Sequence, residues 1–237
     1  MVVHSLFDAL ALIAALLVFR VIPLGAGGRA QPWRSHPGYI AAASLGATVG
    51  AYLFGCANLW LSGVPGLGRS IEGALAGGVV AVEALKRRAG ISGSTGLAFV
   101  APLTAAIVVG RFGCFFAGLD DMTYGTPTTL PWGVDFGDGV RRHPVQLYES
   151  AAMAAFLAGF LPLLLRQNEI VSRAGFYLFV AAYAAQRFLW EFLKPYGTAI
   201  GPFNLFHLLS LALIGYAAAM AYRELRRPWP HALPLAS

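Results

Sequence analysis

Seven long apolar runs dominate this chain, at residues 6–24, 39–61, 71–85, 96–117, 147–165, 175–193 and 203–222. About 20 apolar residues is the length that crosses the hydrocarbon core of a bilayer as a helix. Within that core every backbone polar group must find its partner inside the structure, which makes helices the natural element for such runs. The expected fold is therefore an all-α integral membrane bundle of seven transmembrane helices, one domain over residues 1–237. A periplasmic loop is expected between helices 4 and 5. The run at 71–85 is the shortest and the richest in glycine. The first run has no basic residue before it and has Arg20 and Arg29 at its far end. That polarity is the reverse of a cleavable signal peptide, so the run is expected to be kept as a span.

Only 12% of the residues are charged, yet the net charge is +6. The basic residues are not scattered. Arg29 and Arg34 follow helix 1, Lys86, Arg87 and Arg88 follow helix 3, Arg166 and Arg173 follow helix 5, and Arg223, Arg226 and Arg227 follow helix 7. The opposite loops carry Asp120, Asp121, Asp135 and Asp138. Basic flanks mark the cytoplasmic side, which places the N-terminus outside, the C-terminus in the cytoplasm and the Asp120–Asp138 loop outside. The positive charge then reflects flanks facing anionic lipid rather than a nucleic-acid surface. Cys56 and Cys114 lie in or beside apolar runs and fix no disulfide.

Function should be sought where polarity is expensive. Residues 110–149 read GRFGCFFAGLDDMTYGTPTTLPWGVDFGDGVRRHPVQLYE, with Arg111 at one rim and Arg142, His143, Gln146, Tyr148 and Glu149 at the other. Charges at the edges of a span need partners or a task. On the sixth run, YAAQRFLWEFLK puts Tyr183, Arg187, Glu191 and Lys194 at helical spacing on one face. Two readings stand: a structural Arg187–Glu191 pair, or an anion hook in which Arg187 is oriented by Tyr183 and Glu191. A guanidinium suits phosphate because its donors form a planar fork that stays charged. Arg111 is either a snorkelling interfacial arginine or a second hook, and two converging cations require an anion between them. Glu72 is an interfacial carboxylate or a buried base. Glu83 is expected to pair with the Lys86–Arg88 cluster. His143, before Pro144, reads more readily as a hydrogen-bonding post than as a catalyst. No CxxC, HExxH, Walker loop or Gly-x-Ser-x-Gly elbow occurs, so no metal or cofactor is expected.

Taken together, GRFGCFF, TPTTLPW, RRHPVQLYE and the YAAQRFLWEFLK stripe resemble the prolipoprotein diacylglyceryl transferase family, in order, from about Arg69 to Lys194. The resemblance implies a multi-pass protein of the bacterial inner membrane. It also implies a reaction: the diacylglyceryl group of phosphatidylglycerol passes to the lipobox cysteine of a lipoprotein precursor as a thioether, releasing glycerol phosphate. Arg111 matches the arginine of the family's GRxGN motif, Tyr183 and Arg187 match its late tyrosine–arginine pair, and Glu191 matches the glutamate one turn on. The expected catalytic set is Glu72, Arg111, Tyr183 and Arg187. Arg142, His143, Gln146, Tyr148, Glu191, Asp120 and Asp121 are expected to contact the substrate.

The chain departs from the family pattern on the acceptor side. HGGLxGG is EGALAGG here, placing Glu72 at the family's histidine, and Cys114 replaces the asparagine after GRxG. NGE-x-x-G has become the longer AGLDDMTYG, where Asp120 or Asp121 supplies the carboxylate only after a shift. Three functions follow as alternatives: a phospholipid-dependent transferase, an anionic-phospholipid-binding protein on the same scaffold, or a structural subunit whose polar stripe locks helices.

Overall fold

A computed structural model describes residues 2–22, 36–64 and 66–228. Among these residues the chain forms seven long helices, α1 (Val2–Val21), α2 (Gly38–Leu61), α3 (Ile71–Arg88), α4 (Leu97–Ala117), α5 (Val145–Leu165), α6 (Glu169–Glu191) and α7 (Leu205–Arg226). A 3-10 turn at Gly118–Asp121 and a two-stranded hairpin, β1 (Val134–Asp135) with β2 (Arg141–Arg142), lie between α4 and α5. Five helices, all but α3 and α6, are long and apolar enough to cross a membrane. Leu12, Leu16, Leu53, Trp60 and Leu189 point outward and are more than half exposed, as a bundle solvated by lipid requires.

Helix ends follow local chemistry. Ser70 caps α3 by accepting from the Gly73 amide at 3.1 Å, and Asn168 caps α6 by accepting from Val171 at 3.2 Å. Asn204 and His207 close a reciprocal capping box on α7. These polar first turns explain where the helices differ from the apolar runs. The helix expected at 175–193 begins at Glu169, because its first turn is held by the Asn168 cap and a Glu169–Arg173 pair at 2.7 Å rather than by apolar residues. Likewise α3 continues to Arg88 and α7 to Arg226 through basic last turns, which suit the negative end of the helix dipole. The first run was expected to end at residue 24; α1 ends at Val21, and residues 23 and 24 lie outside the described residues.

The bundle is assembled from close pairs: α1 on α4, α2 on α3, α6 on α7, and α4 on α5. α4 is the axis, with Val100, Ala101, Thr104 and Ile107 buried along it. α6 supplies Tyr177, Phe179, Val180 and Tyr183 to the same core, meeting Met153 and Phe160 of α5 and Leu213 of α7. In the α2–α3 pair the backbones touch: a Cβ on Gly50 would strike the Gly73 carbonyl, and one on Gly73 the Gly50 carbonyl. This contact sets where α3 begins, and so where its second residue, Glu72, is delivered.

Candidate functional site

One end of the bundle gathers the N-terminal ends of α3, α5 and α7 with the C-terminal ends of α4 and α6. Each brings a polar side chain to one buried point. At its centre is Glu149, from the second turn of α5. Its Oε2 approaches Arg111 Nε of α4 at 2.5 Å, and its Oε1 lies 2.5 Å from a terminal nitrogen of Arg187 on α6 and 2.8 Å from Lys194 Nζ. Arg187 also meets Glu191 Oε2 at 2.7 Å and Glu72 Oε2 at 3.5 Å. Ser210 of α7 donates to Glu72 Oε1 at 2.5 Å, and the Asn204 amide donates to Glu191 Oε1 at 2.9 Å. Three cations face three carboxylates, and none of the six side chains is more than 6% exposed.

The Tyr183 hydroxyl is fully buried within the electrostatic reach of Arg111, Arg187, Glu149 and Glu72, with no hydrogen-bond partner among the described residues. The Gln146 amide is buried and equally unpartnered among them. Arg111 Nε and Glu149 Oε2 are close but not aligned as a hydrogen bond, so that contact is electrostatic. A buried polar atom without a partner costs free energy unless something binds there. A cavity of about 530 Å³ opens beside the cluster. It begins at Asp8, Ile71 and Gly110, next to Glu72 and Arg111, and runs between the helices to Glu83 and Lys86 at the other end. Its walls are chiefly apolar.

The structure thus unites Glu72, Arg111, Tyr183, Arg187 and Glu191 from three stretches of sequence. Glu72 is not an interfacial carboxylate; it is 1% exposed. Arg142, His143, Tyr148, Asp120 and Asp121 lie elsewhere. Arg142 forks onto Asp138 of the hairpin, with both terminal nitrogens 2.7 Å from the carboxylate, and stacks over Tyr124. That hydrogen bonding holds the Asp138 carboxyl below its ordinary pKa. His143 Nδ1 is 3.3 Å from the Tyr148 hydroxyl, which accepts from Trp132 Nε1 at 2.7 Å, so these three brace the loop. Asp120 is exposed, and Asp121 pairs with His4 at 3.0 Å. Glu83 pairs with Lys86 at 2.7 Å, as its spacing suggested.

Glu149 was legible only as the last residue of RRHPVQLYE; the signal for its role was the requirement for an anion between two arginines. Ser210 and Asn204 gave none, being uncharged residues in or beside an apolar run.

A helical membrane bundle with a charge-balanced cluster buried at one end is the class that fold and site define. The profile of the prolipoprotein diacylglyceryl transferase family matches residues 8–223, and the chain belongs to that family. Relatives named phosphatidylglycerol–prolipoprotein diacylglyceryl transferase include those of Geobacter sulfurreducens, 34% identical over 68% of this chain and 63% of the relative, and Nitratidesulfovibrio vulgaris (strain DP4), 36% identical over 66% and 62%. The relative from Vibrio vulnificus is 33% identical over 75% of this chain and 69% of its own length. The matched part of this chain spans a little under two thirds of the first two relatives. No solved structure matches.

Proposed function

We propose that this protein is a membrane transferase that moves the diacylglyceryl group of phosphatidylglycerol to a cysteine thiol of a lipoprotein precursor. The observation that carries the reading is the pair of buried guanidiniums, Arg111 and Arg187, brought from different helices onto opposite oxygens of one carboxylate. Glu149 is the internal counter-ion, and the lipid phosphate takes over part of its contacts. A phosphodiester carries one negative charge, as a carboxylate does, so it accepts from the same guanidinium donors. The Tyr183 hydroxyl, without a partner among the described residues, is free to donate to the same phosphate. The acyl chains lie in the adjoining apolar cavity.

In this reading Glu72 takes the proton of the acceptor thiol. The thiolate sulfur attacks the glyceryl carbon that bears the phosphate, forming the thioether. The carbon–oxygen bond breaks with its electron pair going to the departing glycerol phosphate, whose growing charge the guanidiniums stabilise. Arg142, His143 and Tyr148, held in or beside the hairpin loop, meet the acceptor peptide, with Asp120 and Asp121 at the loop's start, while Gln146 and Glu191 complete the lipid site.

We further infer that all seven helices cross the bacterial inner membrane as one domain, N-terminus outside and C-terminus cytoplasmic. α3 and α6 are too polar to qualify by composition, but their charges near this site face inward: Glu72, Arg187 and Glu191 are all buried. The basic residues after α1, α3, α5 and α7 support the orientation. Purified protein given labelled phosphatidylglycerol and a lipobox peptide is expected to release glycerol phosphate and lipidate the peptide, and Arg187→Ala to do neither. Lipid binding without release in the wild type would instead favour a lipid-binding protein.

A further inference from the structure

A second cluster, joining residue 4 to residues 114 and 121, lies where the start of α1 reaches the end of α4. His4 Nε2 is 3.0 Å from Asp121 Oδ1 and 3.8 Å from Cys114 Sγ, and the three donor atoms all lie within 4.8 Å of one another. A tetrahedral zinc ion, with ligand bonds of about 2.0–2.3 Å, holds its donors about 3.3–3.6 Å apart. The observed spacing brackets that range, so small side-chain rotations bring the donors to one centre.

Two of the three ligands are already aimed by a further contact. Asp8 Oδ2 lies 3.1 Å from His4 Nδ1, which leaves Nε2 turned to the cluster. Thr123 Oγ1 donates to Asp121 Oδ2 at 2.5 Å, which leaves Oδ1 turned the same way. A carboxylate behind a ligating histidine and a hydroxyl behind a ligating carboxylate are the outer contacts that metal sites use to fix tautomer and orientation. A simple His4–Asp121 ion pair needs neither the thiol nor a second carboxylate on the imidazole. Cys114 is buried, and His4 and Asp121 are only 21% and 13% exposed, so the centre is sheltered yet open on one side.

We propose that His4, Cys114 and Asp121 bind a divalent transition-metal ion of the zinc type, with water as the fourth ligand. Thiolate, imidazole and carboxylate together select zinc or cobalt over magnesium or calcium. On binding, Cys114 gives its thiol proton to water, and thiolate plus carboxylate cancel the two positive charges. Arg111, whose terminal nitrogen lies 3.9 Å from Cys114 Sγ, is balanced by Glu149 and lends a donor to the thiolate. The ion clips α1 to the end of α4 that carries Arg111, three residues before Cys114. The ligands, at positions 4, 114 and 121, share no motif spacing, so no sequence pattern marks them as metal ligands.

The test uses the full chain, purified in detergent without a polyhistidine tag, stripped with a chelator and titrated with Co²⁺. Saturation at one ion per chain is expected, with a thiolate-to-cobalt charge-transfer band and the intense visible bands of tetrahedral cobalt. Excess Zn²⁺ should bleach both. The charge-transfer band should vanish in Cys114→Ser and persist in Cys56→Ser, and Asp8→Asn should weaken binding about tenfold to a hundredfold. Absence of a saturable thiolate band in the wild type, or its survival in Cys114→Ser, overturns the proposal. The readout is independent of lipid turnover.

Discussion

Glu149 touches three cations on two other stretches of chain, which makes it the residue on which the site depends most. Replacing it with glutamine leaves Arg111, Arg187 and Lys194 with only Glu72 and Glu191 to balance them. Removing one partner of a buried ionic network costs about 3–5 kcal/mol, so Glu149→Gln is expected to lower the unfolding midpoint in detergent markedly. Arg187→Lys poses a different question. A lysine keeps the charge but cannot span Glu149, Glu191 and Glu72 at once, because it lacks the planar fork. Turnover should be lost while most of the fold survives, as read by activity beside a thermal scan. At this scale the stripe Tyr183–Arg187–Glu191–Lys194 was legible because helical spacing alone puts it on one face. The central anion was not identified, since its partners Arg187 and Lys194 lie 38 and 45 residues away in sequence. Arg142 and His143 stand in a dense polar segment, but local hairpin contacts hold them, and sequence density cannot separate the two cases.

Among the elements, the α2–α3 pair carries the sharpest steric constraint. Its facing glycines bring the two backbones into contact, so Gly50→Val forces α3 outward and moves Glu72 away from Arg187. Overpacking of this kind typically costs about 1–3 kcal/mol, and both the unfolding midpoint and turnover should fall. The hairpin between α4 and α5 is held by Arg142 on Asp138 and by Asp135, whose Oδ1 accepts from the amides of Gly137, Asp138 and Gly139. Because the Asp138 carboxyl is held below its ordinary value, the pair's contribution is complete above that ordinary value and is lost only as the pH falls through the lowered one. Proteolysis of the loop should therefore be independent of pH from about 5 to 8, and should rise in Arg142→Gln. The helices themselves were legible from their apolar runs, but their ends were not. Asn168 starts α6 in polar sequence, where no apolar period announces it.

For the whole molecule, hydropathy and charge inventory argue in opposite directions at α3 and α6. The charges that disqualify these helices as spans by composition are, at the Glu72–Glu191 end, the ones buried against each other, as the proposed seven-span arrangement requires. Thiol labelling of cysteines introduced at Gly137 and at the C-terminus should proceed from outside for the first and only from the cytoplasm for the second.

The division of labour at the site is the central claim: arginines hold the lipid phosphate, and Glu72 takes the proton. Glu72→Gln keeps the shape and a hydrogen bond to Ser210 but removes the base. Phosphatidylglycerol binding and glycerol phosphate release should be measured side by side on this variant and the wild type. Binding is expected to persist while release falls by about 10²–10⁴-fold, the usual worth of a positioned base. Undiminished release from Glu72→Gln would contradict the assignment.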